Sequence, residues 1–377
     1  MIKLIALLSP LSINLYGAIF LFATATKQFK NRFFLGLFLA NSFILFLGHF
    51  LSFYEYWKIF QYFDFLFLGA ILAFYPLYYL YIYSAFNFNI IPIKWIYHFI
   101  PSIIIAALML TATSLISWGN YIEYMNNNLY ANELTSSSSK ILAYLYRGTR
   151  FFHLVQIIGY NFLTIRFILR AHQEMNNSFS NLDKYQLRYF YIVNISFILF
   201  MSIPGFYVTL IGRTPLNTND YLLLSSCILF TLLYLIIAII GIRQIPVAID
   251  LKTMVPKNEA GKEQLYEFNE LEKELYLYFS NEKPWLVPNL NIWEVAKHLG
   301  TNRSYISNVI NEKVGCNFNQ FVNNYRIKEA KLLLKQTPNK TITEISELAG
   351  FGSINSFIRI FKKVEKCTPS EYRKKIL

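Results

Sequence analysis

Cysteine, histidine and acidic residues are all scarce in this chain. It holds 3 cysteines, 5 histidines and 22 acidic residues in a length of 377. Cys227, Cys316 and Cys367 lack zinc-ligand spacing and the histidines are scattered, so the sequence implies no metal site. A P-loop, a G-x-S-x-G elbow, an H-E-x-x-H helix and the kinase motifs are all missing. We therefore expect neither an enzyme activity nor a cofactor.

Apolar residues, in contrast, are abundant and unevenly distributed. Hydrophobic types make up 55% of the chain and aromatic types 18%. Seven apolar stretches of about 20 residues, each able to cross about 30 Å of hydrocarbon, fall within residues 1–243. We predict membrane spans at residues 4–25, 33–53, 59–83, 95–116, 141–165, 189–211 and 221–242.

Basic residues beside these spans predict their orientation, because Lys and Arg accumulate on the cytoplasmic side. With the N-terminus outside, the inner loops hold eight basic residues and the outer segments hold four. Seven spans then deliver the C-terminus to the cytoplasm. We predict a multi-pass protein of the bacterial inner membrane. The longest outer segment, residues 117–140, is interpreted as a plain loop, with a ligand-contacting lid as the alternative.

A few ionisable residues interrupt the apolar spans. Such side chains usually face the interior of a bundle and find partners there. Arg147 and Arg150 lie on one face of the fifth span, and Asp64 is the one carboxylate within the seven predicted spans. We hypothesise that the arginines bind an anionic or polar signal ligand, with Asp64 completing an internal ion pair. The alternative is that both arginines reach out to the membrane interface.

Two helix–turn–helix patterns follow each other near the C-terminus. The first, residues 291–315, reads NIWEVAKHLGTNRSYISNVINEKVG. Asn291 and Glu294 can form a capping box, Gly300 breaks the first helix, and Asn302 can cap the second. The pattern therefore predicts two short helices joined by a tight turn.

The second pattern, residues 341–363, repeats this plan as TITEISELAGFGSINSFIRIFKK. Thr341 and Glu344 supply the capping box, the glycines of AGFG make the turn, and Ser353 caps the second helix. Between the two patterns, residues 318–334 form an amphipathic helix about 25 Å long. Because the major groove repeats every ~34 Å, we expect DNA bound by both units to bend.

Charge separates the chain into three regions. Residues 1–243, 244–282 and 283–377 carry net charges of +8, −4 and +9. A basic final region is what binding to the phosphates of DNA requires, because Lys and Arg there displace condensed counterions. The charge pattern therefore favours a nucleic-acid partner for the last region.

Residues 283–375 resemble the DNA-binding domain of AraC/XylS-type regulators. The resemblance covers about a quarter of the chain and rests on KPWLVPNLNIWEVAKHLG, FVNNYRIKEAKLLL, AGFGSINSFIRIFKK and TPSEYRK. It implies two recognition helices that face DNA base edges, RNA polymerase as a partner, and activation more often than repression. Lys366 departs from the glycine usual in the turn before TPSEYR. The predicted DNA-contacting residues are Arg303, Ser304, Ser307, Asn308, Asn311, Asn355, Arg359, Lys362 and Lys363.

The sequence thus predicts an all-α fold in four parts. They are a seven-span membrane sensor domain (1–243), a cytoplasmic linker (244–262), an amphipathic connecting helix (263–281) and an AraC-type DNA-binding domain (282–377). The apolar stripe of the connecting helix either docks on the first helix–turn–helix unit or forms the seam of a dimer.

The predicted function is membrane-bound, sequence-specific transcription regulation coupled to a signal at the membrane or cell exterior. Its expected partners are double-stranded DNA, RNA polymerase, the lipid bilayer and an unknown signal ligand. A second copy of the chain is a further possible partner, if two DNA-binding domains pair on repeated sites. The alternative is a receptor or transporter whose C-terminal module binds protein. Ile354 and Ile358 favour this alternative, because they offer no hydrogen bond to a base.

Overall fold

Helices form all the regular structure that the computed structural model describes. The described residues are 2–26, 29–86, 93–126, 136–183, 187–211, 219–243 and 268–376. Within these ranges there is no strand, only an isolated antiparallel bridge between Phe179 and Asn291. The predicted all-α fold is confirmed. The chain divides into two compact units, residues 1–168 with 188–249 and residues 169–187 with 250–377.

Nine helices, most of them apolar, make up the described part of the first unit. They are α1 (Ile2–Thr24), α2 (Lys30–Phe53), α3 (Trp57–Phe86), α4 (Ile100–Leu115), α5 (Trp118–Asn126), α6 (Ser137–Asn176), α7 (Leu187–Phe197), α8 (Ile203–Ile211) and α9 (Asp220–Arg243). A 3-10 helix, Ile93–Phe99, leads into α4, and a π-helical turn, Ile198–Ser202, joins α7 to α8. Among the described residues, seven helical segments are long and apolar enough to cross a membrane, one for each predicted span. The last turns of α6, from Leu169 onward, belong to the second unit.

Aromatic side chains hold the centre of the bundle together. The rings of Tyr78 and Phe197 stack with their centroids 3.6 Å apart, which joins α3 to α7. Phe38 lies 5.0 Å from Phe74 and 6.1 Å from Tyr234, so α2 and α9 join the same cluster. All five residues are buried. Aromatic packing of this kind brings four helices of the bundle together.

Buried amide and hydroxyl groups add hydrogen bonds between helices. Asn41 on α2 donates to the carbonyl of Ala70 at 3.0 Å, and Gln156 on α6 donates to that of Leu72 at 3.0 Å. The Ser102 hydroxyl on α4 donates to the carbonyl of Gly69 at 2.6 Å. Polar groups in an apolar bundle stabilise it when they are satisfied in this way.

Residues 117–140, the predicted outer segment, are not a plain loop throughout. Its residues Trp118–Asn126 form α5, and Tyr121 and Tyr124 are buried in a cluster that includes residues of α3, α4 and α6. The loop prediction is wrong there, because Tyr121 and Tyr124, three residues apart, fall on one helical face and bury together, while Trp118 stacks on Tyr121 and stays exposed. Residues 127–135 lie outside the described residues.

The second unit is built from seven short helices and the segment 169–187. The helices are α10 (Phe268–Glu282), α11 (Ile292–His298), α12 (Arg303–Asn308), α13 (Phe318–Gln336), α14 (Ile342–Leu348), α15 (Ile354–Glu365) and α16 (Pro369–Ile376). A π-helical stretch, Val309–Val314, continues α12.

The helix α13 serves two hydrophobic cores. Phe318 and Phe321, in its first half, pack with α10, α11 and α12. Ile327 and Leu334, in its second half, pack with α14, α15 and α16. Each core belongs to one helix–turn–helix unit, and α13 is the element that they share.

The connecting helix docks on the first of these units. Leu271, Leu275 and Phe279 of α10 are fully buried in the first core. Of the two interpretations of its apolar stripe, docking is confirmed. The predicted linker 244–262 and the first predicted residues of this helix lie outside the described residues.

Candidate functional site

Side-chain caps fix the first helix–turn–helix unit. The backbone N–H of Glu294 donates to the side-chain oxygen of Asn291 at 3.1 Å. In return, the Glu294 carboxylate accepts from the backbone N–H of Asn291 at 3.3 Å. Gly300 makes the turn with a φ of +62°. The Asn302 side chain then accepts from the amides of Ser304 and Tyr305, which begins α12. The caps predicted for this unit are confirmed, and α12 is the helix that the resemblance assigns to DNA recognition.

The second helix–turn–helix unit is built by the same local chemistry. Thr341 and Glu344 form the predicted capping box, and Ser353 accepts from the Ser356 amide at 3.2 Å to begin α15. Gly350 makes the turn with a φ of +82°. Lys366 ends α15 in the left-handed region at a φ of +59°, so the turn keeps a glycine-like geometry with a strained lysine.

The predicted DNA-contacting side chains lie mainly on exposed surface of the two recognition helices. Arg303 and Ser307 are half-buried, and Asn311 donates to the Ser307 hydroxyl at 3.2 Å. Ile354, one of the two outward isoleucines, is half-buried as well. The exposed members of the set are Ser304, Asn308, Asn311, Asn355, Arg359, Lys362 and Lys363. The two helices therefore present polar and basic groups that can reach a nucleic acid.

Arg326 lies at the point on α13 where the two hydrophobic cores meet. This arginine of α13 is buried, and its Nε and Nη2 donate to the carbonyls of Trp285 and Val287, both at 2.8 Å. Burial lowers the pKa of Arg326 to about 9, which still leaves the guanidinium charged at neutral pH. Its guanidinium also lies 5.8 Å from the centre of the Phe351 ring, which belongs to the second core, so Arg326 contacts both cores.

The segment 169–187 contributes a feature that sequence reasoning missed. Arg303, at the start of α12, forms an ion pair with Glu174. Arg359, on α15, forms another with Asp183 at 3.0 Å, and the Ser353 hydroxyl donates to Asp183 at 3.0 Å. Acidic groups of this segment thus contact residues at both recognition helices.

A second candidate site lies inside the bundle of the first unit. A cavity of about 560 Å³ opens between α1, α2, α3, α6, α8 and α9, with mainly apolar walls. Its polar lining includes His49, Tyr75, Arg150, His153 and Thr209. Arg150 donates to the Thr209 carbonyl, and His153 lies 3.0 Å from the Thr209 hydroxyl. A cavity of this size suits a small molecule.

The three residues predicted to bind a ligand do not all meet at this cavity. Arg150 lines it, whereas Arg147 and Asp64 are outside the set of described residues that do. Arg147 lies over the Tyr144 ring at 5.9 Å, and Asp64 accepts a hydrogen bond from Tyr121 at 3.4 Å. Arg150 is therefore the predicted residue that the structure brings to the cavity.

Comparison with known proteins bears on the C-terminal unit. Residues 295–375 match a family model described as a helix-turn-helix domain. An uncharacterized HTH-type transcriptional regulator of Staphylococcus aureus (strain COL) is 39% identical over 85 residues, and the uncharacterized HTH-type transcriptional regulator YtdP of Bacillus subtilis (strain 168) is 34% identical over 84. Each alignment covers 22% of this chain and 11% of the relative. No solved structure matches the chain. The C-terminal unit thus carries a helix-turn-helix domain of the AraC type.

Proposed function

We propose that this chain is a membrane-bound, sequence-specific DNA-binding transcription regulator that couples a signal at the membrane or cell exterior to gene expression. The observation that carries the proposal is the pair of capped helix–turn–helix units, whose recognition helices α12 and α15 expose polar and basic side chains. The relatives named as transcriptional regulators support it. The protein acts by coupling and not by catalysis.

DNA binding would use both recognition helices at once. Asn355 and Arg359 offer hydrogen bonds to base edges, while Lys362 and Lys363 suit phosphates. The 19 residues of α13 make a rod of about 28 Å, shorter than the ~34 Å groove repeat, so bound DNA bends towards the protein. RNA polymerase, and a second copy of the chain on repeated sites, are the further partners that we propose.

The membrane part of the proposal rests on the seven apolar helical segments. With the N-terminus outside, the basic flanks fall mainly inside, and the C-terminal unit lies in the cytoplasm, where DNA is accessible in a bacterium. In that orientation the cavity occupies the outer half of the bundle. Its walls include Leu7 near the start of α1, Phe53 at the end of α2 and Leu223 near the start of α9.

We place signal binding at this cavity. Arg150 supplies a fixed cation within mainly apolar walls, so the matching ligand is a small molecule with an apolar body and an anionic or polar group. Arg150→Leu should abolish the transcriptional response to an active stimulus, with Arg147→Leu as the matched control outside the cavity. An unchanged response in Arg150→Leu would remove the ligand proposal and leave DNA binding standing.

Selection of random duplexes on the full chain, held in neutral-lipid nanodiscs, tests DNA binding directly. A regulator should enrich a site of about two helical turns, with an affinity that falls steeply as salt rises. The alternative, a protein-binding module, predicts no enriched sequence. That outcome would overturn the proposed function.

A further inference from the structure

The segment that joins the fifth and sixth predicted spans is anchored on the C-terminal unit. Phe179 is only 3% exposed, and its ring lies 5.6 Å from that of Trp293. The backbone of residues 178–180 exchanges hydrogen bonds of 3.0 and 3.1 Å with residues 290–292, as an antiparallel bridge. The segment is therefore held by backbone pairing and by a buried aromatic ring.

Further hydrogen bonds tie the same segment to α13. Asn319 donates to the carbonyls of Phe179 and Ser180 at 3.1 and 2.9 Å. Arg326, which lies where the two cores meet, also donates to the Ser180 hydroxyl at 3.1 Å. The anchor thus lies beside the junction of the two helix–turn–helix units.

Two carboxylates flank this anchor, one on each side, and each one meets an arginine of a recognition helix. Glu174 pairs with Arg303 on α12, and Asp183 pairs with Arg359 on α15. A guanidinium that pairs with a carboxylate uses the same donors that would bind a phosphate or a guanine edge. In both pairs the carboxylate engages Nη2 of the arginine, so DNA has to displace the carboxylate to use that donor and the full charge.

We propose that residues 174–183 act as an internal competitor for DNA, which keeps the C-terminal unit in a state of low affinity until the segment is withdrawn. This inference rests on the proposed DNA-binding function and adds its regulation. The side chain of Arg359 stays 66% exposed in its pair, so Asp183 competes by neutralising charge and not by covering the helix. The inhibition should accordingly be moderate and sensitive to salt.

The position of the segment in the chain provides a route for the signal. It begins in the last turn of α6 and precedes α7, the helices of the fifth and sixth predicted spans. A rearrangement of either helix on ligand binding would therefore pull on the competitor through the backbone itself. No further protein or small molecule is then needed to carry the signal from the helical bundle to the C-terminal unit.

The test compares duplex binding by three full-length proteins in phosphatidylcholine nanodiscs. The probe is a labelled pool of random 30-base-pair duplexes, titrated by fluorescence anisotropy at several salt concentrations. Glu174→Gln with Asp183→Asn should lower Kd about 3- to 10-fold relative to the natural chain, because two partly exposed ion pairs are removed. Its plot of log affinity against log salt should steepen by about one to two, because two cations that the carboxylates neutralise become free to displace counterions from the duplex.

Glu270→Gln with Glu274→Gln is the matched control, since it removes the same charge from an exposed face of α10. It should change Kd less than twofold. Equal gains in the control and the test variant, or no gain in either, would overturn the competitor while leaving DNA binding intact. If no protein binds any duplex, the proposed function fails and this inference fails with it.

A reversible crosslink supplies an independent test. Asn181 and Asn289 lie two residues beyond the bridge pair, and their side chains are 3.2 Å apart. Asn181→Cys with Asn289→Cys, in a chain whose three natural cysteines are serine, should form a disulfide that holds the segment in place. The oxidised protein should bind duplex about 3- to 10-fold more weakly than the variant with Glu174→Gln and Asp183→Asn, and reduction should restore the part of the affinity that the disulfide removes. Equal affinity before and after reduction would contradict the proposal.

Discussion

Arg359 and Lys363 lie one turn apart on α15 and should affect DNA binding differently. Arg359 can make a bidentate contact with a base, whereas Lys363 can neutralise a phosphate. We expect Arg359→Ala to cost about 1 to 3 kcal/mol and to relax the preference at one base pair. Lys363→Ala should weaken all sequences alike and lower the salt slope by about 0.9.

Competition binding with single-base variants of the selected site measures both effects. Each variant duplex is titrated against the unmodified site on each mutant protein. If Arg359→Ala lowers the affinity for all sequences equally, this arginine contacts only the sugar–phosphate backbone of the DNA.

Glu344 makes the second helix–turn–helix unit sensitive to acid. Hydrogen bonds from the Thr341 amide and hydroxyl hold the pKa of the Glu344 carboxyl below its usual 4.5. Because the pKa is lower in the folded state, this stabilisation is complete above pH 4.5 and is lost as the pH falls through the folded-state value. Glu344→Gln keeps the cap without the charge and should flatten the acid dependence.

Thermal unfolding of the C-terminal unit within the full chain, monitored by limited proteolysis, checks this expectation. The measurement is made between pH 3 and 7, roughly the range in which carboxyl groups titrate. Glu347→Gln removes a carboxylate from the same helix outside the capping position and serves as the control. A loss of stability in acid that is as steep in Glu344→Gln as in the natural chain would contradict it.

Two glycine turns of the C-terminal unit offer a matched comparison at the level of elements. Gly350 and Gly315 both have positive φ, +82° and +71°. A Cβ at Gly350 would lie 2.4 Å from the Trp285 carbonyl oxygen, whereas at Gly315 no described atom lies within 4 Å. Gly315→Ala should therefore cost about 1 kcal/mol, from backbone strain alone. Gly350→Ala should cost about 1 to 3 kcal/mol more, because the backbone of residues 285–286 must move.

Denaturant unfolding of the two variants gives this difference directly. Equal destabilisation would mean that the turn at Gly350 relaxes freely and that the packing of α14 on residues 284–286 is loose.

Short elements of the C-terminal unit were predictable because their signals are local. Asn291, Asn302, Thr341 and Ser353 each cap the helix that the sequence assigned to them. A cap depends on two to four consecutive residues, so the sequence alone contains the information. The apolar spans were predictable for a similar reason, since length and composition suffice to find them.

Contacts between distant segments were not predictable in this way. Phe179 is the single apolar residue of NNSFSN, and nothing in its neighbourhood indicates that Trp293 will cover it. The ion pairs of Glu174 and Asp183 join residues more than 120 positions apart. The one available signal was Arg326, a charged residue among the apolar positions of α13 that requires several acceptors when buried.

The proposed orientation in a membrane concerns the whole molecule and can be tested with two cysteines. In a chain whose natural cysteines are replaced, Ser117→Cys lies on an exposed site beside α5, and Ser370→Cys lies on an exposed site of α16. With the N-terminus outside, a membrane-impermeant maleimide should label intact cells at residue 117 and not at residue 370. Permeabilised cells should be labelled at both positions. Labelling of residue 370 in intact cells would show that the orientation is the reverse of the proposed one and that the C-terminal unit cannot reach cytoplasmic DNA.

The sharing of α13 couples the two halves of the C-terminal unit. Phe321 completes one hydrophobic core and Ile327, less than two turns later, completes the other. Because one continuous helix carries both sets of residues, that helix sets the spacing and the rotation between the two helix–turn–helix units. Evolution and protein engineering can therefore exchange the unit as a whole with its spacing intact, whereas a one-residue insertion within residues 318–336 should turn one unit by about 100° relative to the other.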